Sequence, residues 1–392
     1  MPPRPQPSLT TLILLTGLSV LALNMFLPSL ARMAEDFEVS YALAALSVSG
    51  FLVISAVLQI IMGPLSDMYG RRPVMLAGLV IFTLASAGCW LAQDIRLFLV
   101  FRVLQAAMVT GMVLSRAVVR DIAPREEAAR LLGQIGMVMA LAPLLGPVFG
   151  GFLDEVFGWR ANFAAFTVMG AVMLWVVWTR FGETNAELSE SFGAHFRQYP
   201  ALVSDRLFWA YSICLVFSIA AFYGFLGGAA LVGEELFGLS PSQVGMGLGS
   251  ISGGFMLGNF LTGRLSGRIP VLRLMLWGRG LATLGPLAAA ALMAFGLFHP
   301  AVLFGGAVFV GLGNGLTLPG ANAGVMSINP RLAGAASGLS GAMTVLGGAI
   351  ATSLTGAYAV GQAGGYVLLG FLSLSSGVGL LATLWIGRLE RA

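Results

Sequence analysis

The stretch Gly63-Pro-Leu-Ser-Asp-Met-Tyr-Gly-Arg-Arg-Pro73 is a short polar break between two long apolar runs. Its two glycines permit a tight turn and a close approach of two helices. Asp67 can pair with an arginine or meet a helix N-terminus, and Arg71 and Arg72 suit the anionic inner face of a bilayer. A basic loop of arbitrary sequence would explain only the arginines, so the spacing favours a specific turn between two membrane-spanning helices.

The same stretch returns in altered form in the second half of the chain. Residues 63–78 align without gaps on residues 263–278, with several glycine, leucine, serine and methionine positions in common. Glycine and valine replace Asp67 and Arg71 in the second copy, so only the first copy is predicted to act as a latch, a cluster that holds one conformation. Two halves related by a parallel repeat are typical of transporters that rock around a site near the bilayer midplane.

The composition excludes a water-soluble protein. Of the 392 residues, 57% are hydrophobic and only 10% are charged, and the mean hydropathy is +0.89; so few charges could not cover a soluble surface. Apolar runs of about 20 residues, long enough to cross a bilayer as helices, recur throughout the chain. Twelve membrane-spanning helices, numbered 1 to 12, are predicted near residues 9–31, 43–66, 74–93, 97–118, 130–153, 160–180, 207–233, 244–266, 271–295, 301–322, 331–357 and 364–387.

The longest polar interval, residues 182–206, divides these helices into two sets of six. We therefore predict an all-α integral membrane protein of two pseudo-symmetric six-helix bundles, residues 1–181 and 207–392, joined by a cytoplasmic linker. The chain has no lysine, and sixteen arginines lie in segments on the side of the N-terminus against three on the other side. This bias predicts that both termini are cytoplasmic.

An enzyme is disfavoured because no catalytic or metal-ligating cluster converges. The only histidines, His195 and His299, lie in the linker and in a short outer loop. Cys89 and Cys214 fall within predicted helices and are interpreted as packing residues. No cofactor, metal or nucleic-acid partner is predicted, and the basic pI of 9.4 is attributed to membrane topology.

The stretch Phe101-Arg-Val-Leu-Gln105 puts an arginine inside predicted helix 4. Arg102 and Gln105 lie three residues apart and share a helix face. An arginine within a membrane helix is costly, so it is a functional hypothesis by default. The alternative is that helix 4 begins later and that Arg102 reaches the outer interface.

The stretch Ala142-Pro-Leu-Leu-Gly-Pro-Val-Phe-Gly-Gly151 in helix 5 combines bends with small residues. Pro143 and Pro147 bend the helix, while Gly146 and Gly150 lie four residues apart on one face. Both features predict a pliable, closely packed interface that takes part in gating.

Together these motifs resemble those of the major facilitator superfamily, and the resemblance covers the whole chain. The turn that holds Asp67 resembles the family's G-x-L-x-D-x-x-G-R-R loop, Arg102 and Gln105 look like its buried R-x-x-Q element, and the helix-5 stretch is similar to the element that marks its drug/proton antiporters. The subgroup that the chain resembles is that of the bicyclomycin/chloramphenicol-resistance multidrug exporters. This resemblance implies export of small amphipathic compounds across the inner membrane by alternating access, in exchange for protons. Nothing in the sequence requires more than a monomer. The predicted gating residues are Gly63, Asp67, Gly70, Arg71, Arg72, Arg120, Asp121, Pro143, Gly146, Pro147, Gly150 and Gly151.

Helix 1 departs from that subgroup, whose members usually carry D-M-Y-L-P where this chain reads Asn24-Met-Phe-Leu-Pro28. The amide can hydrogen-bond cargo but cannot carry a proton; it could also be a packed polar residue that links helices. No predicted helix interior holds a replacement carboxylate. Proton coupling would then use a boundary acid such as Asp67 or Asp121, or the cargo's own ionisation. Alternatively, an unpaired Arg102 leaves the cavity positive and favours neutral or anionic cargo.

Amides and aromatic residues on helices 7, 8 and 10 extend the list of cavity candidates, although helix packing would explain each of them singly. The predicted cargo-binding residues are Asn24, Phe26, Arg102, Gln105, Phe222, Tyr223, Asn259, Asn314 and Asn322. Two other functions stay open, a receptor that binds without flux and a transporter independent of protons.

Overall fold

Helices make up nearly all of the described chain. The structure is a computed structural model that describes residues 6–123, 125–185, 202–328 and 333–391. Within these ranges a helical segment stands at each of the twelve predicted positions, and the one extended pairing is an isolated bridge between Ser266 and Ile269. The prediction of an all-α protein is thus confirmed.

The bounds differ from the predicted ones mainly by extension at the ends. They are helix 1, Leu9–Asn24, continued by a 3₁₀ turn Leu27–Ser29 and by Leu30–Asp36; helix 2, Tyr41–Tyr69; helix 3, Arg71–Leu91; helix 4, Ile95–Gln105, continued by a 3₁₀ turn Ala106–Met108 and by Val109–Ile122; helix 5, Arg125–Phe157; helix 6, Arg160–Arg180; helix 7, Arg206–Phe237; helix 8, Pro241–Leu265; helix 9, Val271–Ala294; helix 10, Pro300–Ser327; helix 11, Ala333–Tyr358; and helix 12, Gly364–Leu389.

Local sequence signals set several of these ends. Ser8, Asp94 and Asp205 accept hydrogen bonds from backbone N–H groups in the first turns of helices 1, 4 and 7. Ser240 and Gln243 form a reciprocal capping box at the start of helix 8. These caps satisfy N–H groups that have no partner within the helix.

Ten of the segments are long and apolar enough to span a membrane by themselves, counted over the described residues. Helix 9, which carries Arg279 near its middle, is not among the ten. It is nonetheless packed against helices 10 and 12, so its place in the fold depends on neighbouring helices rather than on its own hydropathy.

The helices pair in the same way in both halves. In the first half, helix 1 packs against 5, helix 2 against 4 and helix 3 against 6; in the second half, 7 packs against 11, 8 against 10 and 9 against 12. Adding six to each number of the first set gives the second set. This confirms two pseudo-symmetric six-helix bundles, while residues 186–201 of the predicted linker lie outside the described residues.

The halves meet through helices 5 and 8 and through helices 2 and 11. Tyr41 Oη donates a hydrogen bond of 2.8 Å to the Gly227 carbonyl, and a Cβ added at Gly245 would lie 2.3 Å from the Pro147 carbonyl oxygen. These contacts lie at the end of the bundle opposite to the turn at residues 63–73. We call this the contact end and the other the turn end.

Candidate functional site

A cavity of about 340 Å³ lies between the two halves. Helices 1, 2, 4 and 5 contribute one wall, and helices 7, 8, 10 and 11 the other. Its lining residues are Ser19, Val20, Leu23, Asn24, Phe51, Leu52, Ser55, Gln59, Val109, Met112, Arg116, Met139, Pro143, Leu215, Ile219, Phe222, Tyr223, Ser252, Phe255, Asn314, Leu318, Asn322, Gly341, Thr344 and Val345. The apolar surface with a few polar groups is typical of small-molecule sites.

Asn24 lies in the cavity wall where the α-helical part of helix 1 ends. Its Nδ2 donates a hydrogen bond of 2.8 Å to the Val20 carbonyl, whereas its Oδ1 is buried and has no hydrogen-bond partner among the described residues. A 3₁₀ turn with Pro28 follows directly. The break in the helix therefore leaves one buried acceptor beside the cavity with no partner among the described residues.

The other predicted cargo residues that reach the cavity belong to helices 7 and 10. Phe222 and Tyr223 lie in the wall with their ring centroids 5.5 Å apart and their planes at 89°. Asn322 is exposed and donates to the Leu318 carbonyl, while Asn314 is buried. The structure thus gathers two amides and an aromatic pair from the second half opposite Asn24 from the first.

Arg102 is not in the cavity wall but is enclosed within the first bundle. It is fully buried, and its guanidinium donates to the carbonyl oxygens of Ser47 and Ala22, each at 3.2 Å. The guanidinium carbon also lies 4.3 Å from the Phe26 ring centroid and 4.8 Å from that of Phe51. The alternative in which Arg102 reaches the outer interface does not fit this enclosure.

Three further predicted cargo residues also lie outside the cavity lining. Gln105 accepts a hydrogen bond from Arg102 and donates to Ser86 Oγ at 2.7 Å, so its amide is occupied within the bundle. Phe26 is fully buried against Arg102, and Asn259 lies at the close contact of helices 8 and 10. None of the three belongs to the described lining of the cavity, and their contact with cargo stays a prediction.

Arg279 in helix 9 was not among the predicted site residues. This arginine is fully buried in the second bundle. Its Nε donates to Thr317 Oγ1 at 3.0 Å and its Nη2 to Asn314 Oδ1, while Asn314 Nδ2 donates to the Ser218 carbonyl at 3.0 Å. An arginine well inside a predicted span was a sufficient signal, since such residues are rare in membrane helices.

The described cavity lining contains one charged side chain, that of Arg116, and no carboxylate. Arg116 is exposed and lies 3.2 Å from the sulfur of Met139. A fully buried carboxylate does occur elsewhere: Asp154 lies in the last turn of helix 5 near the contact end, 3.4 Å from Arg32. The net charge of the described cavity lining is therefore positive.

The turn end holds a cluster of acids around Arg71. Its guanidinium pairs with Asp67 and, through Nε at 2.9 Å, with Asp121, and also donates to Ser66 Oγ. All these groups belong to the first half. The predicted latch residues Asp67, Arg71 and Asp121 are thus brought together, whereas the side chain of Arg120 lies outside the described residues.

Glu183, which was not among the predicted gating residues, completes this cluster. Its carboxylate accepts hydrogen bonds from the backbone N–H groups of Arg71 (2.8 Å) and Arg72 (3.0 Å), at the N-terminus of helix 3. Gly70 has φ of +94°, and a Cβ there would lie 2.6 Å from Glu183 Oε2. A side chain at this position would meet both strain and a clash, which explains the glycine in the turn.

The predicted helix-5 interface contacts both halves. A Cβ at Gly150 would lie 1.5 Å from the Met25 carbonyl oxygen of helix 1, and one at Gly151 would lie 2.3 Å from the Pro241 carbonyl oxygen of helix 8. Gly146 also approaches helix 1, and Pro143 lines the cavity. Glycines let these backbones touch without intervening side chains.

Comparisons with known proteins agree with this architecture. The sequence profile of the Major Facilitator Superfamily matches residues 12–352. The chain is 32% identical to the chloramphenicol resistance protein of Pseudomonas aeruginosa over 55% of this chain and 52% of that protein. It is 27% identical to multidrug resistance protein D of Escherichia coli over 88% of each.

A solved structure of a D-xylose–proton symporter superposes with a TM-score of 0.74, at 15% identity, over 96% of both chains. A likeness at this identity shows the fold alone. Together with the family profile and the cavity between the halves, it makes the protein a non-enzymatic, multi-span membrane transporter. This chain belongs to the Major Facilitator Superfamily.

Proposed function

We propose that the protein exports small amphipathic compounds across the plasma membrane by alternating access, as a monomer. The observation that carries this proposal is the cavity of about 340 Å³ between halves that touch at the contact end. A site shared by two pseudo-symmetric bundles can be opened to either side when the bundles rock. The names of the relatives, which include a chloramphenicol resistance protein, support this class of cargo.

The sidedness of the proposal follows from the arginines. Because most of them flank the turn end, this end and both termini face the cytoplasm. The structure then represents the state that is closed to the outside. Cargo enters from the cytoplasm and contacts Asn24, Asn314, Asn322 and the aromatic pair Phe222 and Tyr223.

Exchange with protons requires a titratable group outside the described cavity lining. Asp67 and Asp121, which share Arg71 at the turn end, are the proposed proton site. A second candidate is a proton-independent exporter of neutral or anionic compounds. The specific observation that favours it is Asn24 in place of an acid, in a cavity whose described lining holds no carboxylate.

Efflux from reconstituted vesicles, with and without an imposed pH gradient, tests both candidates. The comparison uses a neutral phenicol drug, the unmodified protein and Asn24→Asp. Efflux that ignores the gradient in the unmodified protein but follows it in Asn24→Asp supports the proton-independent candidate. Gradient-driven efflux in the unmodified protein supports antiport, and Asp67→Asn and Asp121→Asn then locate the proton site. Binding of the drug without any flux would contradict export and favour a receptor.

A further inference from the structure

Two buried arginines lie behind the two walls of the cavity, one in each bundle. Arg102 lies in the first bundle, 4.8 Å behind the ring of Phe51, which lines the cavity. Arg279 lies in the second bundle and donates to Asn314, which also lines the cavity. Each guanidinium is thus separated from the cavity by a single side chain.

Neither arginine has an acidic partner among the described residues. Every acceptor given above for them is a neutral carbonyl, amide or hydroxyl oxygen, and the four described ion pairs involve Arg32, Arg71 and Arg160 instead. Each also keeps one nitrogen, Arg102 Nη2 and Arg279 Nη1, with no hydrogen-bond partner in the described part of the chain. Since a guanidinium stays protonated in proteins, neither positive charge is compensated by a described carboxylate.

These charges act on whatever enters the cavity. In an apolar bundle the effective dielectric constant is low, so a charge one side chain away is felt strongly. The exposed Arg116 in the wall has the same sign. A cation in the cavity would be opposed from both sides and an anion would be stabilised from both sides.

We propose that the cargo is an amphipathic organic anion and that the membrane potential drives its efflux. This inference rests on the proposed transport function and adds the charge of the cargo and the source of energy. An inside-negative potential expels a monovalent anion by about tenfold in concentration ratio for each ~59 mV. A carrier of anions therefore needs no proton-carrying acid in helix 1, and Asn24 is compatible with uphill export.

The test uses vesicles that contain the reconstituted protein and a potassium gradient with valinomycin to set the potential. They are loaded with 1-naphthaleneacetate, with its neutral amide, or with (1-naphthylmethyl)trimethylammonium, three compounds of similar shape and different charge. We expect efflux of the carboxylate to exceed that of the cation at least tenfold and to rise when the inside is made negative. Faster efflux of the cation, or carboxylate efflux whose rate does not change with the potential, would overturn the inference. Either result would still support the proposed export function. Failure to move any of the three would contradict the proposed function itself.

Variants tie the selectivity to the buried charge. In Arg279→Gln the carboxylate-to-amide efflux ratio should fall at least tenfold, and Arg279→Lys, which keeps the charge, should restore it. A purely structural role would lower efflux of both compounds together and would contradict the assignment. Arg116→Gln, at an exposed position, is a second test in case Arg279→Gln does not fold. The carboxylate-to-amide efflux ratio should fall in this variant as well, and an unchanged ratio would contradict the inference. Arg268→Gln removes an exposed charge from the turn between helices 8 and 9 and should leave the ratio unchanged.

Discussion

At the scale of single residues, the turn end is held by Arg71, which forms ion pairs with both Asp67 and Asp121. The side chain of Arg71 is almost fully buried, while those of Asp67 and Asp121 are 30% and 21% exposed. Because Arg71 is buried, its positive charge is stabilised mainly by these two carboxylates. The charges of the carboxylates themselves are partly screened by water. All three residues belong to the first half, so their ion pairs do not join the two halves in this state. We expect these pairs to rearrange when the second half approaches the turn end.

Asp67→Asn should therefore impair transport more than cargo binding. The amide cannot balance Arg71, and the loss of roughly 1.5 kcal/mol from a charged hydrogen bond corresponds to about a tenfold change in a conformational equilibrium. Initial efflux rates and equilibrium binding of the same compound are measured side by side. Asp121→Asn is the matched variant because it removes the other partner. An equal loss of binding and of transport would refute the role as a latch.

The residue scale is also where the sequence predicted least about the site. Asn24 was predicted from its place in the helix-1 motif and Asn314 as an amide on helix 10, and both line the cavity. Arg102 was predicted inside helix 4 with the outer interface as an alternative; its enclosure by Phe26 and Phe51 depends on packing between helices that lie far apart in sequence. Glu183 escaped notice because it follows a helix in a segment that reads as a linker.

At the scale of elements, the contact end is built from backbone touching backbone. Gly245 on helix 8 approaches Pro147 on helix 5, and Gly151 on helix 5 approaches Pro241 on helix 8. No large side chain has to change rotamer when such surfaces part, so glycine contacts suit an interface that opens and closes.

Gly245→Ala should shift the protein away from the state that is closed at the contact end. The added methyl would lie 2.3 Å from the Pro147 carbonyl oxygen, and overpacking of this kind costs about 1–3 kcal/mol. Distances between spin labels at Glu155 and Ser240, on opposite sides of the interface, report the populations. Gly253→Ala is the control on the same helix, since its Cβ would meet nothing within 4 Å. A distance distribution unchanged from the parent protein in Gly245→Ala would refute this role.

At the scale of the whole molecule, the sequence predicted the architecture well. The positions of the twelve helices and the division into two halves follow from hydropathy and from the repeat at residues 63–78 and 263–278. The way in which the halves meet could not be predicted, because it depends on contacts such as Tyr41 with Gly227, which lie 186 residues apart.

A disulfide across the contact end should stop transport if the halves rock. A Cβ at Gly356 would lie 2.8 Å from the Cβ of Ala45, so the pair Ala45→Cys and Gly356→Cys needs to separate by about 1 Å to reach disulfide geometry. We expect oxidation to abolish efflux and a reductant to restore it, with either single variant insensitive to both. Cys89 and Cys214 are buried and should not interfere. Full efflux with the disulfide formed would contradict alternating access.

The position of Arg279 has a consequence for the way in which this protein is made. During synthesis the arginine emerges before its partners, because Asn314 follows it by 35 residues and Thr317 by 38. Alone, an arginine at the centre of a helix opposes insertion by about 3 kcal/mol. Helix 9 is therefore expected to leave the translocon together with helix 10, as a hairpin. Insertion of nascent chains that end before and after Thr317 would reveal this, and stable insertion of the shorter chain would exclude it.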